Sequence, residues 1–180
     1  MIRCFVALPL PDALTDAIDD IQTGLRGANW QPEENMHLTL AFLGDQDRHS
    51  LSDLDLCLAE IRAAPVDLHL RGVSHFGGRD PRLVFVGVDP NPTLMHLQNK
   101  VETAVRAAGI DLPGKRFVPH VTLARWGRGA VQAEALQAYV EANNLFQAKA
   151  AEIDAFALFR SDLNKHGARY TEMARYPLQQ

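Results

Sequence analysis

The sequence predicts an α+β fold of two similar lobes, each an antiparallel-rich sheet with helices packed outside, and an active-site cleft between them. Two observations predict it: short β-favouring segments alternate with amphipathic helices along the chain, and one strand motif occurs twice. The chain has 180 residues, 47% of them hydrophobic, which is enough for one domain with a real core. We therefore expect a single domain over residues 1–180, with an internal duplication of roughly 1–80 and 81–180.

The first half is expected to fold as strand, helix, strand, helix and strand. Residues 2–8 are rich in β-favouring types, and apolar residues at helical spacing over 14–25 predict a helix after them. Residues 38–43 form an apolar strand. Ser50 is a candidate cap for the next helix, and alternation of apolar and polar residues over 66–71 predicts a half-buried strand.

The second half is expected to repeat the strand, helix and strand order before it closes the fold. It contains a loop at 74–82, a strand at 83–88, a helix opened by Asn91 and closed by Gly109, a strand at 121–125, a weaker helix at 131–143, and strands at 147–159 and 168–178. A polar loop that contains Asn164 and Gly167 is expected to join the last two strands.

The repeated motif has the form H-x-T-L-A-x-x-G and starts at His37 and again at His120. In both copies a Phe-Val pair, a proline and a helix precede the motif. Side chains two residues apart on a strand point the same way, so His37 shares a face with Thr39, and His120 with Thr122. Two related lobes would bring these residues together, which predicts a cleft with two imidazoles and two hydroxyls.

This residue set suits the cleavage of a phosphate ester. One histidine can take a proton from the attacking oxygen while the other delivers a proton to the leaving oxygen. Thr39 and Thr122 can donate hydrogen bonds to phosphate oxygens. Arg125 can bind the phosphate charge, provided that the strand ends or bulges there, because strict alternation points Arg125 away from the histidine. Phe42 occupies the equivalent position in the first copy and is expected to stack on a ribose or base, or else to be ordinary core.

Composition and charge exclude several other classes of protein. A net charge of −4 disfavours binding along a long nucleic acid, although a basic cluster of Lys115, Arg116, Arg125 and Arg128 suits one or two phosphates. No apolar run is long enough for a membrane span, and two cysteines provide neither a disulfide framework nor a metal clip. We expect a cytoplasmic monomer without membrane attachment.

Three alternatives for the paired histidines stay open. A zinc site would need a third ligand, and the chain has no HExxH motif and no cysteine pair. Both histidines could be satisfied core groups. A binding module could recognise phosphorylated RNA ends or nucleotides without turning them over. The absence of a G-x-S-x-G elbow and of a P-loop disfavours a serine hydrolase and a nucleoside triphosphatase.

The segments HLTLAFLG and PHVTLAR resemble the two signature motifs of the 2H phosphoesterases, and among them those of the RNA 2′,3′-cyclic phosphodiesterases first described as 2′-5′ RNA ligases. RCFVALPLP, FGGRDPRLVFVGV and LFRSDLNKHGARYTEMARYPL extend the resemblance over nearly the whole chain. The resemblance implies hydrolysis of a 2′,3′-cyclic phosphate on an RNA end or nucleotide to a 2′-phosphomonoester, without a metal or another cofactor.

The resemblance also implies a role for each motif residue. His37 would be the proton donor and His120 the proton acceptor, while Thr39, Thr122 and Arg125 would hold the phosphate. Related enzymes join RNA ends through 2′-5′ linkages by the same chemistry. The near-symmetry of the two copies leaves open which histidine is the acid and which is the base.

Overall fold

The structure, a computed structural model, describes residues 1–78, 80–114, 116–149, 152–164 and 167–179. Its helices are α1 (Asp12–Asp19), α2 (Arg48–Ala59), α3 (Pro92–Ala107) and α4 (Ala133–Ala142), with a 3₁₀ turn at Glu33–Asn35. Its strands are β1 (Ile2–Pro9), β2 (Asn29–Trp30), β3 (His37–Gln46), β4 (His69–Phe76), β5 (Leu83–Val88), β6 (His120–Arg125), β7 (Gln147–Lys149), β8 (Ala155–Asn164) and β9 (Gly167–Pro177). The predicted α+β class is confirmed.

The strands of the described residues form one antiparallel sheet in the order β7-β4-β5-β6-β3-β1-β8-β9, with β2 added beside β6. The two lobes meet at β3 and β6, which share a single residue pair, Leu38 with Val121. Outward from that pair, β1 and β8 flank β3, while β5 and β4 flank β6. The lobe of β1, β3, β8 and β9 therefore contains strands from both ends of the sequence, whereas β4, β5, β6 and β7 of the other lobe all lie within residues 69–149.

The helices cover the sheet through their apolar faces. Leu54 and Leu58 of α2 and Leu97 and Val101 of α3 are fully buried, and the two helices pack against each other. Burying one such side chain contributes about 1.5–3 kcal/mol of hydrophobic free energy, so this layer is a large part of the stability. None of the described helices is long and apolar enough to cross a lipid bilayer.

The first helix is shorter than its apolar spacing predicts, because α1 ends at Asp19 rather than near Leu25. A series of tight turns follows it, and Gly24 and Gly27 in that segment have φ angles of +80° and +88°. A Cβ atom on Gly27 would overlap the carbonyl oxygen of Ala130. Glycine is therefore required at position 27 both by the backbone conformation and by the close approach of the neighbouring loop.

The second helix is capped by Asp47 and not by Ser50, so the predicted cap was wrong. The Asp47 carboxylate accepts a hydrogen bond of 2.8 Å from the backbone N–H of Ser50. An acidic side chain in this position satisfies one of the free N–H groups of the first turn.

The predicted strands at 66–71 and 147–159 also differ from the structure. Val66 makes only an isolated bridge to Ile153, and β4 runs from His69 into the expected loop as far as Phe76. The predicted strand at 147–159 is two strands, β7 and β8, because β7 pairs with β4 whereas β8 pairs with β1. Asn164 and Gly167 are paired strand ends rather than loop residues, and the two residues between them lie outside the described part of the chain.

Candidate active site

The two copies of the motif lie at the junction of the lobes, at the starts of β3 and β6. Leu38 pairs with Val121 in antiparallel register. Continuing that register by one residue on either side sets Thr122 opposite His37, and Thr39 opposite His120. Along this register, each histidine of one lobe is expected opposite the threonine of the other lobe.

A β-bulge in each motif strand decides where the residue after the motif points. In β3 the pairing with β1 skips Leu40, and in β6 the pairing with β5 skips Leu123. In both strands two consecutive residues are then buried, and the side chain after them is exposed on the face of the histidines. The condition for Arg125 to reach the site is met, and the corresponding bulge in β3 turns Phe42 toward the cleft.

Backbone carbonyls fix the tautomer of both histidines. His37 Nδ1 lies 2.8 Å from the carbonyl oxygen of Asn35, and His120 Nδ1 lies 2.7 Å from that of Val118. A carbonyl oxygen only accepts, so Nδ1 carries the proton that it donates. In the neutral ring Nε2 is then unprotonated, and it is the atom free to exchange a proton with a substrate.

Aromatic rings hold each imidazole in place. His37 stacks on Phe5 with ring centroids 4.6 Å apart, and it packs edge-to-face with Tyr170 with ring centroids 5.1 Å apart. His120 lies edge-on to Phe85 at 5.3 Å and to Phe76 at 4.9 Å. These rings restrict rotation of the imidazoles and exclude water from one side of each.

This environment lowers the pKa of both histidines. Burial lowers the pKa of His37 from 6.5 to about 4, against the opposing effect of the Asn35 carbonyl, and the charges of Arg125 and His120 lower it further. Burial also lowers the pKa of His120, the Val118 carbonyl opposes this effect, and Arg125 adds to it. The Arg125 guanidinium thus acts on both imidazoles, and both are neutral at pH 7 in the free protein.

One cavity of about 740 Å³ contains most of the predicted site residues. His37, Thr39, Phe42 and Arg125 belong to its lining. Among the described residues, His120 and Thr122 are not part of that lining, although the charge of His120 affects the pKa of His37. The side-chain hydroxyls of Thr39 and Thr122 have no hydrogen-bond partner within the described part of the chain, so both remain available to a ligand.

The rest of the basic cluster lies elsewhere. Arg116 lines a separate cavity beside α3, and Arg128 is exposed outside the cleft. Lys115 is outside the described residues. Within the described part of the chain, no three His, Cys, Asp or Glu side chains converge in a way that could hold a metal ion.

Phe42 is 45% exposed, so its interpretation as ordinary core was wrong. The guanidinium carbon of Arg3 lies 4.9 Å from the centroid of the Phe42 ring. The ring therefore faces the cleft with a cation beside it.

Sequence reasoning missed Asn35, which links His37 to the β8–β9 hairpin. The Asn35 side chain is buried at 7% exposure and donates a hydrogen bond of 2.8 Å to the carbonyl oxygen of Ala168. Its amide oxygen accepts from the backbone N–H of Tyr170 at 3.4 Å. Asn35 thereby ties the β8–β9 hairpin, including Tyr170, to His37. Its position two residues before the motif was the signal that could have singled it out.

A two-lobed antiparallel sheet with a His-x-Thr pair from each lobe at the junction defines a phosphoesterase of the two-histidine class. The sequence model of the 2′-5′ RNA ligase superfamily matches residues 10–165, and the chain belongs to this family. The resemblance inferred from the motifs is thus confirmed, and the chain is an enzyme.

The chain is similar to several named proteins. It is 33% identical to the RNA 2′,3′-cyclic phosphodiesterase of Geobacillus stearothermophilus over 97% of its own length, and it spans 56% of that relative. It is 31% identical to the RNA 2′,3′-cyclic phosphodiesterase of Thermus thermophilus, with 98% of this chain and 90% of the relative covered. The crystal structure of Escherichia coli LigT complexed with 3′-AMP superimposes with a TM-score of 0.82 at 26% identity, covering 99% of both chains.

Proposed function

We propose that the protein hydrolyses the 2′,3′-cyclic phosphodiester of an RNA end or nucleotide to a 2′-phosphomonoester, without a metal. The observation that carries this proposal is the pairing of two His-x-Thr motifs across the β3–β6 junction, with Arg125 acting on both imidazoles. Relatives named RNA 2′,3′-cyclic phosphodiesterase support the substrate class. An in-line displacement at phosphorus needs a base on one side and an acid on the other, which this arrangement offers.

In the proposed reaction, Nε2 of His120 takes a proton from a water molecule as the water oxygen attacks phosphorus. The bond between phosphorus and the ribose 3′ oxygen breaks, and His37 protonates that oxygen, so the phosphate stays on the 2′ oxygen. Thr39, Thr122 and Arg125 bind the non-bridging oxygens and their charge. An RNA hydroxyl in place of water would give ligation by the same steps.

The low pKa of His37 is compatible with the role of proton donor only when the substrate is bound. An anionic phosphate beside the imidazole favours its charged form and offsets burial. The Asn35 carbonyl, 2.8 Å from Nδ1, also stabilises the charged ring. We propose that substrate binding itself protonates the acid. We further propose that Phe42 stacks on the ribose or base and that the enzyme works as a cytoplasmic monomer.

Hydrolysis assays with EDTA present test the reaction. Adenosine 2′,3′-cyclic phosphate and an oligonucleotide ending in a cyclic phosphate are incubated with the wild type and with His37→Ala and His120→Ala. We expect a 2′-phosphate product from the wild type and a loss of at least about 100-fold in each variant. Binding without turnover would instead indicate a recognition module, and turnover abolished by EDTA would refute the metal-free mechanism.

A substrate with sulfur in place of the 3′ oxygen distinguishes the acid from the base. A thiolate leaves without protonation, so we expect this substrate to restore most of the activity of His37→Ala and little of that of His120→Ala. The opposite result would exchange the two roles. For Phe42→Ala we expect a raised KM for the nucleotide with unchanged unfolding free energy, and an unchanged KM would refute stacking.

A further inference from the structure

Arg3, at the start of β1, is an exposed cation in the wall of the cavity that contains His37 and Arg125. Five arginines of the described chain have a carboxylate oxygen within 2.7–3.7 Å, namely Arg71, Arg82, Arg106, Arg160 and Arg175. Among the described residues no carboxylate lies within 4 Å of the Arg3 guanidinium, including Asp45, which is opposite Arg3 in the β1–β3 register. Its charge is therefore available to a ligand.

The position of Arg3 along β1 relates it to the reaction centre. Phe5 follows Arg3 by two residues, both side chains line the cavity, and the Phe5 ring stacks on His37. Two residues of a strand span about 7 Å. The Phe42 ring, 4.9 Å from the Arg3 guanidinium carbon, backs the cation and limits its conformations by a cation–π contact.

We propose that Arg3 binds the phosphodiester that joins the terminal nucleotide of an RNA 3′ end to the nucleotide before it. The span of about 7 Å from Arg3 to Phe5, whose ring stacks on His37, places the Arg3 charge beside the reaction centre in the same cavity, on the order of one nucleotide step away. Arg125 then holds the reacting phosphate and Arg3 the next one. This inference rests on the proposed function and narrows it: the preferred substrate is the end of an RNA chain and not a mononucleotide cyclic phosphate.

Three substrates test the proposal by kcat/KM. They are adenosine 2′,3′-cyclic phosphate, the adenylyl-adenosine dinucleotide ending in the same cyclic phosphate, and that dinucleotide with a neutral methylphosphonate linkage. We expect the wild type to prefer the charged dinucleotide over the mononucleotide by about tenfold, the value of one charge-assisted hydrogen bond. Arg3→Gln should bring this ratio close to one, and the neutral linkage should do the same in the wild type without a further loss in Arg3→Gln.

Two more variants complete the experiment. Arg3→Lys keeps the charge and should retain part of the preference, and the salt dependence of binding should fall by about one counterion in Arg3→Gln. Arg26→Gln removes another exposed arginine, one that does not line the cavity, and its ratio should equal that of the wild type.

The outcomes separate the two proposals. A wild-type ratio of one, or an equal loss for mono- and dinucleotide in Arg3→Gln, would overturn the role of Arg3 and leave the proposed function standing. No turnover of any of the three substrates by the wild type would refute the proposed function, and the role of Arg3 would fall with it.

Discussion

Lowering the pH should reduce the free energy of unfolding through protonation of His37. Burial holds the pKa of His37 at about 4 in the folded state, against 6.5 for an exposed histidine. Between these values the unfolded chain binds a proton that the folded protein does not, so the free energy of unfolding decreases as the pH falls from 6.5 toward 4. Each pH unit of difference is worth 1.36 kcal/mol, which gives a loss of about 3 kcal/mol from this residue alone.

Urea denaturation at a series of pH values from 7 to 4 measures this effect in the wild type and in His37→Gln. Glutamine has no titrating group, so its unfolding free energy should decrease by about 3 kcal/mol less over this range. The difference between the two pH profiles removes the contribution of all other groups. His120→Gln should also flatten the profile, because burial lowers the pKa of His120 in the same direction.

Parallel pH profiles of the wild type and His37→Gln would refute this reasoning. They would mean that water or a rearranged ring stabilises the charged imidazole in the folded protein. A steeper profile in the variant would reverse the sign of the predicted linkage.

Other perturbations test separate parts of the structure. As the pH rises above 6.5, kcat/KM should fall about tenfold per unit in a pH-rate profile, because both histidines are already unprotonated in the free protein and the acid has to take up one proton from solution; a flat profile up to pH 8 would contradict this. Arg125→Gln should lower kcat/KM about 100-fold in steady-state assays with an unchanged Tm, since the side chain is exposed and its proposed role is to bind the phosphate. Asn35→Ala should cost about 2 kcal/mol in urea denaturation and also lower kcat, because it frees the β8–β9 hairpin from His37; normal kcat would refute the positioning role. Gly27→Ala should lower the Tm strongly, whereas Gly129→Ala, with positive φ but no atom near the added Cβ, should lower it by much less; equal shifts would show that strain alone matters.

The main features of the site were predictable because the motif is short and periodic. The period of two along a strand places His37 and Thr39 on one face whatever the rest of the fold does. The same holds for the second copy, and the repeat implies that both strands occupy related positions. Strand alternation and the repeat were therefore sufficient to predict that the two histidines and two threonines of the motifs lie together.

The position of Arg125 could not be predicted by counting residues, because the bulge at Leu123 reverses the alternation. The only sign of the bulge in the sequence is the Leu-Ala pair in each motif, where two consecutive apolar residues break the alternation of a strand. The hydrogen bonds from Asn35 to the β8–β9 hairpin could not be predicted either, because they depend on which sheet edge this hairpin joins. That choice is made by packing between residues more than 130 positions apart.

The exchange of strands between the lobes has a mechanical consequence. β4 belongs to the early part of the chain but pairs with β5, and β8 comes late but pairs with β1. A cut between β4 and β5 would leave each fragment with strands of both lobes, so neither fragment contains a complete sheet. Because the chain crosses the junction more than once, the lobes cannot swing apart on a single flexible linker. These crossings therefore limit how far the groove between the lobes can open.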